Sequence, residues 1–240
     1  MAPPSGEIKL WGRWSTFGLG LIALMSGQIA ALLALTWFYG ANLAALPDFS
    51  GSGVAVSLII LVSTPVQVAL LVLMVRQTGD SPAHYLGWIA PRKSDVVVAV
   101  VTVIAFIILG NAVSWLIGQN IVTRFQSDIY QSASAAGWLP VLWLVVVVIT
   151  PIGEETLFRG FLFQGWLREP RDAWPVIVIS ALLFAAVHVQ YDLVVIAQVF
   201  VFGMLLGFFR WASGSTILTM LMHALVNSEG MLETMLLHHR

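Results

Sequence analysis

The sequence contains no cysteine and few charged residues, and each shortage excludes a class of protein. Without cysteine the chain has no disulfide, no thiolate zinc site and no cysteine nucleophile. Asp, Glu, Lys and Arg make up 10% of the 240 residues, whereas soluble domains carry about 25%. A soluble fold of this length cannot bury a hydrophobic fraction of 59%, but lipid tails accept apolar side chains. The composition predicts an integral membrane protein, and the net charge of −1 indicates no nucleic-acid partner.

Long apolar runs define the membrane segments that the sequence predicts. A helix needs about 20 apolar residues to cross the hydrocarbon core. Seven runs qualify, at residues 16–46, 53–75, 95–117, 138–167, 173–189, 193–211 and 215–237. The fifth run is short and the seventh carries several polar residues, so these two are the weakest spans. We therefore predict an all-α, polytopic membrane bundle of about seven transmembrane helices.

The segments between these runs have the composition of connections. Residues 47–53 are rich in Pro, Gly and Ser and predict a turn. Residues 81–95 form a longer amphipathic stretch that we expect at the membrane interface, and residues 118–137 are predicted as a polar loop. Pro65 and Pro151 fall inside spans, where the missing N–H is expected to kink each helix.

Basic residues set the predicted orientation, because loops rich in Lys and Arg stay in the cytoplasm. One side of the seven spans would carry Lys9, Arg13, Arg76, Arg92, Lys93, Arg168, Arg171 and Arg210. The other side would hold only Arg124 and Arg240. This asymmetry places the N-terminus in the cytoplasm.

Ionisable residues inside predicted spans are concentrated in the second half of the chain. Such groups are costly in a bilayer and normally face the protein interior at a functional site. They are Glu154, Glu155, Arg159, His188 and His223, and Asn227 adds a carboxamide. The first three spans have no acid, base or histidine at their centres. We therefore divide one continuous membrane domain into N-terminal helices, residues 1–137, and catalytic helices, residues 138–240.

A spacing of four residues puts pairs of these side chains on one helix face. The pairs are Glu155 and Arg159, Phe184 and His188, and His223 and Asn227. Glu155 and Arg159 are expected to form an ion pair, whereas Glu154 points about 100° away from that face. Three helices thus each offer one polar face, and we expect these faces to turn toward a common point.

Hydrolysis of a peptide bond is a reaction that suits these groups. It needs a base that takes a proton from water and donors for the oxyanion that forms on the carbonyl. Glu154 is the candidate base, His188 the group that holds the water, and His223 and Asn227 the oxyanion donors. Alternatively, the Glu and His side chains bind zinc, which would activate the water directly. No His-Glu-x-x-His motif is present, and the ligand types leave both alternatives open.

The motifs Glu154-Glu155-x-x-x-Arg159, Phe184-x-x-x-His188 and His223-x-x-x-Asn227 resemble, in residues and in order, the signature of the CPBP intramembrane proteases. That family includes the CAAX prenyl endopeptidases and the bacteriocin-processing or immunity proteins of the Abi type. The resemblance covers residues 138–229. It implies an all-helical membrane fold, an active site within the bilayer, and, for this chain, residence in a bacterial inner membrane.

The resemblance also implies a role for each matching residue. Glu154 would be the catalytic carboxylate, His188 its water-positioning partner, and His223 with Asn227 the oxyanion side. Glu155, Arg159 and Phe184 would support them. The family is commonly called a metalloprotease, with zinc held by candidates such as Glu154, His188 and His223. Its arrangement has also been interpreted as metal-independent glutamate chemistry.

Two other functions compete with an intramembrane endopeptidase. A non-proteolytic scaffold or immunity protein would share the fold but would tolerate loss of the motif residues, which this chain retains. A transporter also uses buried Glu and His, but it commonly shows internal repeats, and the sequence has none. Membrane lipids and a peptide or protein substrate are the expected partners. Glu154 is predicted near mid-depth, which suits a transmembrane or lipid-linked substrate at least as well as a prenylated cytoplasmic tail.

Other polar residues receive minor roles. Asp192 follows His188 closely, although a role in orienting it is the less favoured interpretation. Glu229 and Glu233 are predicted at the membrane interface, near the end of the seventh span. His84 is predicted to be structural within the interfacial stretch.

Overall fold

The computed structural model describes residues 11–40 and 51–238. Lys9, the first part of the predicted turn at residues 47–53, and Arg240 lie outside this part of the chain. Within it the chain is helical and has no strand. The helices are α1 (Arg13–Tyr39), α2 (Gly53–Arg76), α3 (Pro82–Tyr85), α4 (Lys93–Leu116), α5 (Arg124–Ala135), α6 (Leu139–Trp166), α7 (Ala173–Ala186), α8 (Leu193–Ser213) and α9 (Thr216–His238).

Five of these helices are long and apolar enough to cross a membrane, namely α1, α2, α4, α6 and α8. The predicted helical membrane bundle is therefore confirmed, but the count of seven spans is not. Helix α7 has 14 residues, about 21 Å at about 1.5 Å per residue, which is shorter than the hydrocarbon core. Helix α9 has 23 residues but carries the polar residues that weakened it as a predicted span.

The prediction of a polar loop at residues 118–137 is wrong, because most of this segment forms α5. Thr123 and Gln126 make a capping box, in which each side chain satisfies a backbone N–H of the other residue. Ile129, Tyr130 and Ala133 form the buried face of the helix. The segment is too polar to span a membrane, and its short amphipathic helix is stabilised by packing.

Helix α6 contains two stretches of π-helix, Val145–Ile149 and Thr156–Leu162. In a π-helix each carbonyl accepts from the N–H five residues later. The Thr150 N–H accordingly bonds the Val145 carbonyl, and the Val146 carbonyl would require an N–H at residue 151. That residue is Pro151, which has none. At Pro151, where a kink was predicted, α6 therefore contains a π-helix and a carbonyl that lacks a backbone donor, whereas α2 continues through Pro65 as one helix.

The described part of the bundle has two distinct ends. At the first end, Arg13 pairs with Asp172 at 2.8 Å, and the Thr216 N–H donates to the Gly87 carbonyl at 2.7 Å. We call this the basic end, because the connections that meet there carry Arg13, Arg76, Arg92, Lys93, Arg168, Arg171 and Arg210. The connections 117–123 and 187–192 meet at the other end, which we call the distal end.

Contacts between side chains hold the distal end together. Gln119 donates a hydrogen bond to Asp192, and the rings of Phe125 and Tyr191 meet edge to face, with centroids 5.8 Å apart. Asp192 also accepts from the N–H groups of Val194 and Val195 and so caps the start of α8.

Candidate active site

The predicted site residues line one cavity in the centre of the bundle. This central cavity has a volume of about 390 Å³, and Glu154, His188, His223 and Asn227 all border it. They come from α6, the end of α7, and α9. The structure thus brings together four residues that are up to 73 positions apart in the sequence, while their catalytic roles remain predictions.

Close packing between α2 and α6 positions the Glu154 backbone. A Cβ at Gly153 would lie 2.7 Å from the Thr64 methyl group, so glycine permits the two helices to approach here. The Gln67 side chain donates to the Gly153 carbonyl at 3.0 Å. Sequence reasoning missed Gln67, although a carboxamide in the middle of an apolar span was a signal of such a role.

Glu154 and Glu155 occupy different environments. The Oε2 atom of Glu154 is buried and has no hydrogen-bond partner, although 29% of the side chain is accessible from the cavity. Glu155 is fully buried, and its Oε1 atom accepts from Arg159 Nη1 at 3.1 Å, which confirms the predicted pair. The Nη2 atom of Arg159 donates to the Gly203 carbonyl at 3.0 Å. The Oε2 atom of Glu155 also has no hydrogen-bond partner, but only Glu154 of the two carboxylates borders the cavity.

His223 connects the two carboxylates. Its Nδ1 atom lies 3.0 Å from Glu155 Oε1, so a proton on Nδ1 is donated to that carboxylate. Its Nε2 atom lies 4.0 Å from Glu154 Oε2, which is beyond hydrogen-bond distance. A water or a substrate oxygen on the cavity side of these two atoms could lie within hydrogen-bond distance of both.

His188 is held by an aromatic cluster and by one backbone hydrogen bond. Its Nδ1 atom lies 2.7 Å from the Phe184 carbonyl, which only accepts, so Nδ1 carries the proton and Nε2 has a free lone pair. The Phe184 ring packs on the imidazole with centroids 4.8 Å apart, and the Tyr191 ring stacks on it at 6.1 Å. Burial raises the pKa of Tyr191 to about 12, so its hydroxyl stays protonated at neutral pH.

Phe184 is the common support of the motif residues. Its ring lies edge to face with the His223 ring at 5.7 Å, and the Arg159 guanidinium lies 4.4 Å from its centroid. A cation over an aromatic face is stabilised most where water is excluded, and Arg159 and Phe184 are both buried. This explains why the second motif includes the phenylalanine as well as the histidine.

Asn227 has a structural partner that sequence reasoning did not anticipate. Its Nδ2 atom donates to the Val146 carbonyl at 2.8 Å, the carbonyl that the π-helix and Pro151 leave without a backbone donor. A carboxamide nitrogen has two hydrogens, so one remains for a ligand in the cavity. The predicted oxyanion role thus rests on the second hydrogen.

The acids near the site have partners that their positions in the sequence did not indicate. Asp192 has Gln119 and the start of α8 as its partners, and it makes no hydrogen bond to His188 within the described residues. Glu229 and Glu233 border the central cavity, where the Asn111 carboxamide donates to both at 3.1 and 2.7 Å. The fold turns them inward, although their position near the end of α9 suggested an interface.

The donor geometry does not fit a metal ion. Across residues 11–40 and 51–238, no three His, Asp or Glu side chains are grouped as ligands of one ion. His223 and His188 both use Nδ1 for protein partners, an arrangement that leaves Nε2 as the atom that could bind an ion. Glu154, His188 and His223 would have to move before they formed the three-ligand set of a catalytic zinc site. We therefore derive no step through zinc.

Comparison with known proteins finds a similarity in the second half of the chain. Residues 136–228 match the family model described as type II CAAX prenyl endopeptidase Rce1-like. An uncharacterized 24.3 kDa protein of Escherichia coli is 34% identical over 91 residues, which are 37% of this chain and 42% of that protein. No solved structure matches. All three motifs lie within the matched residues, so this part of the chain is similar to the CAAX-type proteases of the CPBP family.

Proposed function

We propose that this protein is an intramembrane endopeptidase in which Glu154 activates a water molecule. The observation that carries the proposal is the buried, unbonded Oε2 atom of Glu154, which faces His223 across 4.0 Å in a cavity that His188 and Asn227 also border. Its substrate would be a membrane-embedded or lipid-linked protein or peptide, and a bacterial inner membrane with a cytoplasmic N-terminus is the proposed setting.

The charges of the site support the proposal. Glu154, Glu155 and Arg159 sum to −1 when all are ionised, and a protonated His223 brings the group to zero. An apolar environment favours such neutrality. With a hydrogen on each ring nitrogen, His223 would face both carboxylates, because Nδ1 lies 3.0 Å from Glu155 Oε1 and Nε2 lies 4.0 Å from Glu154 Oε2.

The first step is the attack of water on the peptide carbonyl. His188 Nε2 and Glu154 both accept hydrogen bonds, so one water that donates to both would turn a lone pair toward the substrate. The water oxygen bonds the carbonyl carbon, and its proton passes to Glu154. The bound peptide thus becomes a tetrahedral oxyanion.

The second step breaks the peptide bond. The His223 Nε2–H and the second Asn227 amide hydrogen would donate to the oxyanion, which is the kind of preorganised stabilisation that acyl transfer needs. Glu154 returns its proton to the leaving nitrogen as the intermediate collapses. The carbonyl re-forms, the C–N bond breaks with release of a neutral amine, and the site is regenerated.

Cleavage by the purified protein in detergent tests this proposal. We expect Glu154→Gln to reduce cleavage by about 10²- to 10⁴-fold, the usual contribution of a general base, without change in thermal unfolding. His188→Ala should act alike. Glu169→Gln, at an exposed ion pair with Arg171, is the matched control. Cleavage that persists in Glu154→Gln would contradict the proposal and favour a non-proteolytic scaffold.

A further inference from the structure

The central cavity extends along the bundle from an inner surface, which we call its floor, to an opening, which we call its mouth. Glu154, His223 and Phe184 form the floor. Toward the distal end the wall continues to Ile121 and Gln190, which lie in the connections 117–123 and 187–192 and are exposed. No residue of the connections at the basic end borders this cavity.

The basic end is closed beneath the catalytic residues. Tyr85 and Leu86 are fully buried there. The Leu86 carbonyl accepts from Thr216 Oγ1 at 2.6 Å, and the Ile89 carbonyl accepts from Ser215 Oγ at 2.6 Å. Hydrogen bonds thus fix the connection between α3 and α4 against the start of α9.

A second layer of polar contacts lies between these hydrogen bonds and the proposed catalytic residues. The Arg210 Nε atom donates to the Arg159 carbonyl at 2.9 Å, and Trp88 Nε1 donates to Thr156 Oγ1 at 3.3 Å. Arg159 and Thr156 are completely buried. A peptide that arrived from the basic end would have to displace all of these contacts.

Among residues 11–40 and 51–238, the distal end offers an open path. A second cavity of about 440 Å³ lies between the connections 117–123 and 187–192. Thr123, Phe125, Gln190 and Tyr191 border this cavity and the central one alike. The two spaces therefore adjoin, and Tyr191, which stacks on His188, stands at their junction.

From this asymmetry we infer that the substrate reaches Glu154 from the distal end. This inference rests on the proposed function and adds the substrate class. Because Lys- and Arg-rich connections stay in the cytoplasm, the distal end faces away from it. The substrate is then a membrane protein or peptide whose scissile bond lies in a segment open to the non-cytoplasmic side, and not a prenylated tail in the cytoplasm.

The wall of the path suits an extended peptide. Uncharged amide and hydroxyl groups occur along it between the mouth and the floor, on Gln28, Ser63, Thr64, Asn111, Gln126 and Gln198. A peptide backbone withdrawn from water needs hydrogen-bond partners for its N–H and carbonyl groups. These side chains can supply them without requiring one particular sequence.

Single cysteines can test the direction of access, because the natural chain has none. Ser63→Cys places a thiol of nearly the same size on the cavity wall, and Ser114→Cys provides a second reporter on the opposite wall. Gln190→Cys marks the mouth, and Ala83→Cys marks an exposed position in α3 at the basic end. Each variant is treated with a membrane-impermeant maleimide in intact cells and in inside-out vesicles.

We expect Gln190→Cys, Ser63→Cys and Ser114→Cys to react in intact cells, and Ala83→Cys to react only in inside-out vesicles. If both wall cysteines reacted only from the side that labels Ala83→Cys, or from neither side, the path would be wrong. If Ala83→Cys reacted in intact cells, the orientation and with it the substrate class would be wrong. None of these results depends on cleavage, so they separate this inference from the proposed activity.

A second readout tests the path in the purified protein. A bulky maleimide on Gln190→Cys should slow cleavage by more than about tenfold relative to the same variant without the label. The same label on Ala83→Cys should leave cleavage unchanged. Undiminished cleavage by labelled Gln190→Cys would overturn the distal route. If the unlabelled variants show no cleavage at all, the proposed activity fails and labelling from the two sides alone decides the path.

Discussion

His223 Nδ1 lies 3.0 Å from the Oε1 atom of Glu155, the same oxygen that accepts from Arg159. The third motif is therefore joined to the first through a residue that does not itself face the cavity. This contact fixes the imidazole and leaves its Nε2 atom directed toward Glu154. Glu155 thus acts on the proposed chemistry by positioning His223.

Replacement of Glu155 tests the positioning role. Glu155→Gln leaves the Arg159 charge buried without its carboxylate, and breaking a buried pair typically costs about 3 to 5 kcal/mol. We expect a lower free energy of unfolding in detergent together with slower cleavage. Glu169→Gln removes a carboxylate from an exposed pair and should leave the unfolding curve unchanged. Equal stability of the two variants would contradict the assignment.

The hydrogen bond between Asn227 and the Val146 carbonyl allows the structural role of Asn227 to be tested separately from its proposed catalytic role. Asn227→Leu leaves that carbonyl unpaired, which should cost about 1 to 3 kcal/mol of stability. Pro151→Ala supplies a backbone N–H at the position where the π-helix needs it, so the loss should shrink in the double variant. Cleavage should stay low in the double variant, because the second amide hydrogen is still absent.

A thermodynamic cycle of unfolding free energies measures this coupling between Asn227 and Pro151. Additive effects of the two substitutions would show that the Val146 carbonyl does not link them. Recovery of cleavage in the double variant would show instead that Asn227 has only a structural role.

If Glu154 activates the water without a metal ion, removal of metal should leave the rate of cleavage unchanged. The predicted ligands Glu154, His188 and His223 are not grouped around a common point as metal ligands. We expect equal cleavage before and after treatment with a strong zinc chelator, followed by dialysis. Loss of cleavage that added zinc restores, and that a mock-treated sample does not show, would establish the metalloprotease alternative.

Gly87 provides a test of the packing that closes the basic end of the bundle. Its φ of +67° favours glycine, and a Cβ there would lie 2.8 Å from the Arg210 guanidinium. Gly79 has a φ of +84° but no atom within 4 Å of the corresponding Cβ position. Both Gly→Ala variants lose stability because alanine disfavours the left-handed backbone. A larger drop in melting temperature for Gly87→Ala than for Gly79→Ala would therefore measure the additional effect of the contact with Arg210. Equal drops would mean that this contact contributes no stability.

Much of the fold follows from local sequence. The apolar runs predicted the positions of the long helices, because lipid leaves a helix as the way to satisfy each backbone group. The number of membrane spans could not be predicted from local sequence, since α7 is short and α9 is polar. The placement of these two helices depends on packing. Helix α5 was missed although the capping pair Thr123 and Gln126 was visible in the sequence.

The candidate site was likewise predictable from local sequence only in part. Spacing of four residues was sufficient to predict the pair of Glu155 and Arg159, because a helix fixes that geometry by itself. It could not predict that His223 would bond Glu155, that Asn227 would serve the Val146 carbonyl, or that Gln67 would support Gly153. These contacts join different helices, so their distances are set by the way the helices pack.

Composition and helical periodicity were enough to indicate a helical membrane protein with three polar motifs, because both act locally. Tertiary packing determined which carboxylate borders the cavity, which imidazole nitrogen is available, and at which end the cavity opens among the described residues. Those properties depend on what α2, α7 and α9 place beside Glu154 and Glu155, and neighbours across helices are not encoded in the spacing along any one of them.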